Sequence, residues 1–261
     1  MQAKIIRIEF KSNIILQRTW HERPWRIPSD YIVRAIVYAW SKLYGNPDEL
    51  VQALINNDLR ISSLFILKSN KLFLPDYGVH GYITLEGDEF IDPNEFVTEL
   101  SRVRVARTID ESTPFEEYSL KVSKYEWGII ISFSNNYFNL DKLIASFRLL
   151  GDLGIGGRKS RGSGRFRLIS IEDITSYNLE VRHKGFGKLI SRYMPSSEKI
   201  EGNIYQESMT IWYGPNKSYS YIVISEGSEL NIIDNGQILF IENDLNHKTP
   251  IFFKPLIVKQ L

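Results

Sequence analysis

Along residues 4–11 apolar and charged side chains alternate, with Ile6, Ile8 and Phe10 on one face and Arg7, Glu9 and Lys11 on the other. A period of two predicts a half-buried strand. After Pro28, Ile32, Ile36, Trp40 and Leu43 recur at helical spacing, which predicts a helix with Ser29 as N-cap and Gly45 just past its end. Ile61 to Leu67 reads as a second strand. Trp127 to Phe133 is apolar on both faces, which predicts a strand at the centre of a sheet. The roughly 60 residues between these two strands are too many for a simple loop. They carry short elements of their own around 71–76, 81–85 and 90–107 and read as an insertion at about 70–115. Asp141 caps a helix that carries Leu143, Ile144, Phe147 and Leu150 and stops at Gly151. Arg165 to Ile171 then sets Phe166 and Leu168 opposite Arg165 and Arg167 as a last strand.

Strand, helix, strand, insertion, strand, helix, strand is the order of the β-α-β-β-α-β ferredoxin-like unit, also the scaffold of the RRM. The expectation is an α+β chain whose first domain spans 1–171. Residues 172–261 form a second, strand-rich domain built on segments such as 208–213, 219–225 and 237–241; the pattern does not give its topology. The whole has 261 residues, 43% hydrophobic and 24% charged, the composition of an ordinary globular protein. Its longest stretch without charge, Trp127 to Leu140, is 14 residues and too short for a transmembrane helix. The first residues enter the alternating pattern directly, with no apolar leader, so the expected location is the cytoplasm.

Without cysteine there is no thiol nucleophile, disulfide or Cys-ligated metal. The four histidines, His21, His80, His183 and His247, are 59, 103 and 64 residues apart, so no local metal motif exists and neither metal nor cofactor is expected. Net charge is only +1, yet residues 148–167 carry +5 and the rest of the chain −4. The same stretch holds six of the 17 glycines within 14 residues, 151–164, between a predicted helix and a predicted strand. Glycine lets a backbone approach a ligand closely, successive N–H groups can form an anion-binding concavity, and Arg158, Lys159, Arg161 and Arg165 add charge. The segment is suited to a phosphate backbone. It is not a dinucleotide or P-loop motif, since Gly154-x-Gly156 follows a helix and lacks the third glycine, and no G-x-x-x-x-G-K-[ST] occurs.

Leu150-Gly151-Asp152-x-Gly154-x-Gly156-Gly157-Arg158-x-Ser160-x-Gly162-x-Gly164-Arg165-Phe166 resembles the glycine-rich loop of the RAMP superfamily of CRISPR proteins. Further segments, in order, resemble the family of the fourth Csm subunit of type III effector complexes. They are Pro28-Ser29-Asp30-Tyr31, Ala39-Trp40, Leu43-Tyr44-Gly45, Ile61-Ser62-Ser63-Leu64-Phe65, Phe73-Leu74-Pro75, Arg104-Val105-Ala106-Arg107-Thr108, Ile190 to Pro195, and Glu226-Gly227-Ser228. Two positions depart from the pattern: the family's histidine before Ser-Asp is Pro28 here, and its threonine after Asp is Tyr31.

The resemblance implies two tandem ferredoxin-like domains with a β-hairpin inserted in the first. It implies that the loop and the inter-domain cleft hold the five-prime tag of a CRISPR RNA, that the hairpin presses on the guide–target duplex, and that the subunit is not the nuclease. Its implied partners are a large polymerase-like subunit, a backbone RAMP subunit, and target RNA near the guide. The leading RNA contacts become Arg158, Lys159, Ser160, Arg161 and Arg165, with the backbone of Gly156, Gly157, Gly162 and Gly164. Such contacts fall mostly on phosphates, which position RNA and leave few base readers.

Secondary candidates are Arg102, Arg104 and Arg107, whose alternative is a solvated strand face. Another is the Arg182 to Lys188 segment, basic with a central aromatic, Phe186, and including Lys184. Trp20 to Arg26 combines aromatic and basic residues as a stacking platform, or else supplies core. Two other readings stay open: a metal-independent endoribonuclease acting through His21 or His183, and a protein–protein adaptor whose loop docks a partner. Ser29-Asp30 has no histidine near it in sequence and reads as a helix cap.

Overall fold

The computed structural model describes residues 2–17, 25–69, 71–107, 112–134, 139–196, 200–212, 218–242 and 248–260. The first half runs β1 (Gln2–Phe10), β2 (Ile14–Gln17), α1 (Ser29–Tyr44), α2 (Asp48–Ile55), β3 (Leu59–Ile61), β4 (Phe65–Lys68), β5 (Lys71–Asp76), β6 (Gly81–Ile83) and β7 (Phe90–Ile91). It continues through β8 (Val97–Arg107), β9 (Ser112–Leu120), β10 (Glu126–Phe133), α3 (Leu140–Leu153) and β11 (Phe166–Asp173).

Its sheet has the order β11-β1-β10-β4-β5-β6-β7, with β3 also on β10, and every pair is antiparallel. The alternation in β1 decides what each face touches. Ile6, Ile8 and Phe10 join Ile129 and Ile131 of β10 against Ile32, Ile36 and Trp40 of α1 and Leu143, Phe147 and Leu150 of α3. On the other face Ile5 and Ile130 join Phe65, Leu67, Leu72 and Leu74 against Ile174, Leu179, Ile190, Leu256 and Val258 of the second half. The sheet is thus a middle layer, and β10, central as its composition requires, is buried at every position from Trp127 to Phe133.

Several expectations change in detail. The strand at 61–67 is two strands, because Ser62, Ser63 and Leu64 turn their N–H groups to Ile130, Ile190 and Ile27 carbonyls at 2.8, 2.9 and 3.0 Å. Ser29 is not the N-cap of α1. Pro28 holds that position without a side-chain bond, and the Ser29 hydroxyl instead accepts the Arg192 N–H at 3.0 Å. Asn139, not Asp141, caps α3, by accepting from Lys142 N–H at 3.2 Å. That helix passes Gly151 and ends at Gly154; a Cβ at Gly151 would lie 2.3 Å from the Phe166 carbonyl oxygen, so glycine there lets α3 lie against β11. Residues 71–91 extend the main sheet, whereas β8 and β9 form a long hairpin that leaves it and pairs with β2.

The second half comprises β12 (Leu179–Arg182), β13 (Gly185–Leu189), β14 (Glu201–Asn203), β15 (Gln206–Trp212), β16 (Ser218–Ile224), β17 (Glu229–Ile232), β18 (Gln237–Glu242), β19 (Lys248–Phe253) and β20 (Ile257–Gln260). Five of these strands form an antiparallel sheet in the order β12-β20-β13-β17-β14. The hairpins β15–β16 and β18–β19 share an apolar cluster of Met209, Val223, Ile241, Ile251 and Phe253. Phe252 of β19 reaches into the core around α1. Among the described residues all α-helices precede residue 154.

The seam between the halves is ionic as well as apolar. The Arg192 guanidinium donates to Asp30 at 3.1 Å and to both Glu207 oxygens at 3.0 and 3.1 Å. Arg26 donates to Glu226 at 2.5 Å and also to Glu207, and the Ser63 hydroxyl donates to Glu226. All five charged groups are buried. Burial works against charge on Arg192, but Asp30, Glu207 and Glu226 outweigh it and hold the guanidinium above its usual range. Buried ion pairs of this kind are weak sources of net stability, yet costly to break one partner at a time.

Candidate nucleic-acid interface

The glycine-rich segment starts where Gly154 ends α3 and finishes where Phe166 starts β11. The turn between β1 and β2 holds it down on one side. Lys11 N–H donates to the Arg165 carbonyl at 2.8 Å, and Gly164 N–H donates to the Asn13 carbonyl at 2.9 Å. The Ser12 hydroxyl donates to the Gly162 carbonyl at 2.7 Å and accepts from Arg165 N–H at 2.9 Å. Gly157 N–H reaches the Ile15 carbonyl at 2.6 Å, and Ile15 and Gly157 form an antiparallel bridge. From α1, the Tyr31 hydroxyl accepts Gly156 N–H at 2.7 Å.

These bonds correct the expected cradle of free N–H groups. Gly156, Gly157, Gly162 and Gly164 all donate within the protein, Gly162 to the Lys159 carbonyl at 2.9 Å. The glycines shape the segment, and the charge it offers outward is on side chains. Lys159, Ser160 and Arg161 form one turn of 3-10 helix at its tip, exposed, with Arg165 exposed beside them and Arg158 half-buried. Among the described residues no carboxylate pairs with Lys159, Arg161 or Arg165. The basic residues of neighbouring β1 and β11 differ: Arg7 pairs with Glu126 and Glu172, Lys4 with Asp173, and Arg167 with Glu9. The basic tip is therefore a fixed, uncompensated positive surface, the kind that attracts a polyanion.

No protein-family model matches the sequence. Nor does any curated protein. Solved structures do match along the whole chain. Against Csm4 in the crystal structure of the Csm3–Csm4 subcomplex of a type III-A CRISPR-Cas interference complex, the TM-score is 0.67 at 15% identity, covering 98% of this chain and 99% of that one. Against Csm4 in a Csm1–Csm4 cassette with cA4 it is 0.58 at 18% identity, covering 99% of each. The same cassette with AMPPNP gives 0.57 at 16%, covering 100% of this chain and 99% of that one. The chain has a Csm4-like RAMP fold. It covers that fold end to end at 15–18% identity.

The fold also brings together several of the segments that carried the resemblance. Ser29-Asp30, Ser62-Ser63, Ser191-Arg192 and Glu226 are scattered over about 200 residues, a contact range typical of non-local β topologies. They meet in the buried ionic seam. Ser29-Asp30 is thus neither a simple cap nor part of an exposed site.

The secondary candidates separate. Arg104 and Arg107 lie on β8 opposite Phe115 and Ser112, beyond the end of β2, in backbone register alone. Lys184 is exposed on the turn between β12 and β13, beside His183, and makes no bond to the glycine-rich segment. Burial, with Arg60 and Lys184 near, holds the His183 imidazole below its ordinary pKa, and among the described residues no carboxylate bonds to it. Trp25 is core, edge-on to Tyr82 at 5.4 Å, and Arg26 is in the seam; neither offers a stacking platform. Trp20, His21 and Arg23 lie outside the described residues. Among the described residues no cluster of His, Asp and Glu could hold a metal, and no helix is long and apolar enough to cross a membrane. Sequence reasoning missed Ser12, Asn13 and Tyr31, which hold the loop. Their signal, a turn after a strand and a tyrosine in a helix start, is too common to single them out.

Proposed function

We propose that this chain is a non-catalytic, RNA-binding subunit of a type III CRISPR effector complex, acting in the cytoplasm, whose basic loop holds the five-prime tag of the CRISPR RNA. The observation that carries the reading is the uncompensated tip Lys159, Ser160, Arg161 with Arg165, presented on a loop that backbone bonds from Gly156, Gly157, Gly162, Gly164 and Arg165 hold in place. The Csm4-like fold supports it. So does the repeated strand order: β11-β1-β10-β4 in one sheet and β20-β13-β17-β14 in the other both place fourth, first, third and second strands side by side. We read this as two ferredoxin-like units, with the β18–β19 hairpin standing where the second unit's last helix would be. The β8–β9 hairpin shares β2 with the loop and is the element to reach target RNA paired with the guide. A large polymerase-like subunit and a backbone RAMP subunit are the protein partners of this reading.

The test is binding of labelled repeat-derived RNA bearing the tag, and of a scrambled control, across a salt series. Replacing Arg158, Lys159 and Arg161 by Ala weakens binding and flattens the salt dependence by about 0.7 per lost phosphate contact, roughly two in all. An unchanged slope sinks the reading, and assembly without RNA would then favour an adaptor. The same samples report cleavage. Specific products that vanish in His183→Ala would make the chain a nuclease.

A further inference from the structure

The outer face of α1 next to the loop has a composition the core does not require. Tyr38 is 46% exposed, and its hydroxyl has no hydrogen-bond partner among the described residues. Its ring meets two ammonium groups, Lys42 Nζ at 5.4 Å from the centroid and Lys159 Nζ, from the loop tip, at 5.3 Å. One turn earlier Arg34 lies over the Tyr31 ring at 5.8 Å, and Tyr31 is the residue that holds Gly156. Loop and ridge are therefore one continuous surface.

The two lysines of this surface are not neutralised: among the described residues no carboxylate pairs with Lys42 or Lys159. Arg34 does have an acid among the described residues, Asp30 at 3.4 Å, which it shares with Arg192. The next ridge of the helix is the contrast. There Lys142 lies over Trp40 and Tyr44 at 5.9 and 5.6 Å, but it also pairs with Glu49 at 2.5 Å. An exposed aromatic face flanked by unpaired cations on mobile stems fits single-stranded nucleic acid, whose bases stack on the ring while its phosphates take the cations. Duplex has no free base face to offer, and an acidic peptide has no use for the ring.

We propose that the RNA strand leaves the glycine-rich loop along the Arg34, Tyr38, Lys42 ridge of α1, with one unpaired base stacked on Tyr38 and adjacent phosphates on Lys42 and Lys159. This rests on the RNA-binding reading of the loop and extends it to a residue that reads base planes without reading base identity. Lys159 exchanges its contact with the ring for a phosphate, and so couples the two parts of the path.

The test uses the full chain and a short labelled oligouridylate carrying 2-aminopurine at successive positions. Tyr38→Ala weakens binding about 10-fold, as loss of one base–aromatic stack does, while the salt slope stays the same. The 2-aminopurine quenched at one position in the unaltered protein brightens in that variant. Tyr38→Trp restores affinity and quenching, and Lys42→Gln lowers the slope by about 0.7. Tyr38 is on the surface, so these variants keep the circular dichroism of the parent. Arg161→Ala with Arg165→Ala serves as the reference for the loop. If that pair weakens binding while Tyr38→Ala and Tyr38→Trp both bind like the parent, the ridge is off the path and the loop reading stands. If none of the variants alters binding, both readings fall.

Discussion

The hydroxyl of Tyr31 is the acceptor for the half-buried backbone N–H of Gly156, and burial raises the tyrosine's pKa because it disfavours the phenolate. Tyr31→Phe leaves Gly156 N–H without an acceptor, which costs about 1–3 kcal/mol. Urea unfolding reads that loss, and amide hydrogen exchange places it at Gly156. Gly164 is stricter. Its φ is +70°, and a Cβ would sit 1.8 Å from the Ile155 carbonyl oxygen. Gly164→Ala therefore costs at least about 2 kcal/mol in the same assay, from a left-handed backbone plus displaced chain. At this scale the sequence shows that glycine and charge are concentrated, but not which atoms are spent. The loop's N–H groups read as free donors because their acceptors, Asn13 and Ile15 carbonyls and the Tyr31 hydroxyl, are more than 120 residues away in the chain.

Among elements, the loop behaves as a lid screwed to the β1–β2 turn. Ser12 supplies two of the fastenings, so Ser12→Ala removes both and leaves Arg165 N–H seeking another acceptor. Water can take the place of the serine at the exposed Arg165 N–H, so the expected outcome is about 0.5–1.5 kcal/mol of lost stability, with exchange at Arg165 accelerated ahead of exchange in β1. Elements with one strong pattern were legible before the fold was known: β1, α1, α3 and β11 appear where alternation or helical spacing puts them, and β10 where an unbroken apolar run does. Breaks were not. Ile61 to Leu67 looks continuous because residues on both sides of the break are apolar and buried, and only the distant partners of Ser62 and Ser63 divide it. The eight-residue helix α2 carries Leu50, Ala53 and Leu54 on one face, too few turns for its period to stand out. In the second half, neighbours in the sheet are far apart in sequence, and short strands carry no record of whom they pair with.

For the molecule as a whole, the seam is the feature that makes two sheets one body. Arg192→Met takes from buried Asp30 its closer cation and leaves Glu207 with Arg26 alone, and the expected cost is about 3–5 kcal/mol by urea unfolding. Adding Asp30→Asn recovers part of that loss, because the carboxylate that depended most on Arg192 then carries no charge. A second global lever is acid. His183 has a folded pKa below that of the free imidazole, chiefly through burial and then through Arg60 and Lys184. The unfolded chain accordingly takes up a proton that the folded chain refuses, so stability falls as pH drops through the ordinary imidazole range near 6.5. Thermal unfolding between about pH 7.5 and 5.5 shows this slope, and His183→Asn flattens it. Arg60, close by, is bonded to the neutral oxygens of Pro255, Asn57 and Asn235, and burial brings its pKa down to about 10.

The same seam imposes an order of events during synthesis. Arg26 and Asp30 leave the ribosome roughly 200 residues before Glu226, a delay of about 10–40 s at ordinary elongation rates. Through that interval they stay hydrated, because the carboxylates and the guanidinium that let them enter the interior do not yet exist. The N-terminal sheet can form its helix-facing core early, but its opposite face, with Ile5, Phe65 and Ile130, waits open for the C-terminal strands. A nascent chain arrested before Glu226 is consequently a client for chaperones, and the shortest product that closes on itself ends beyond that residue.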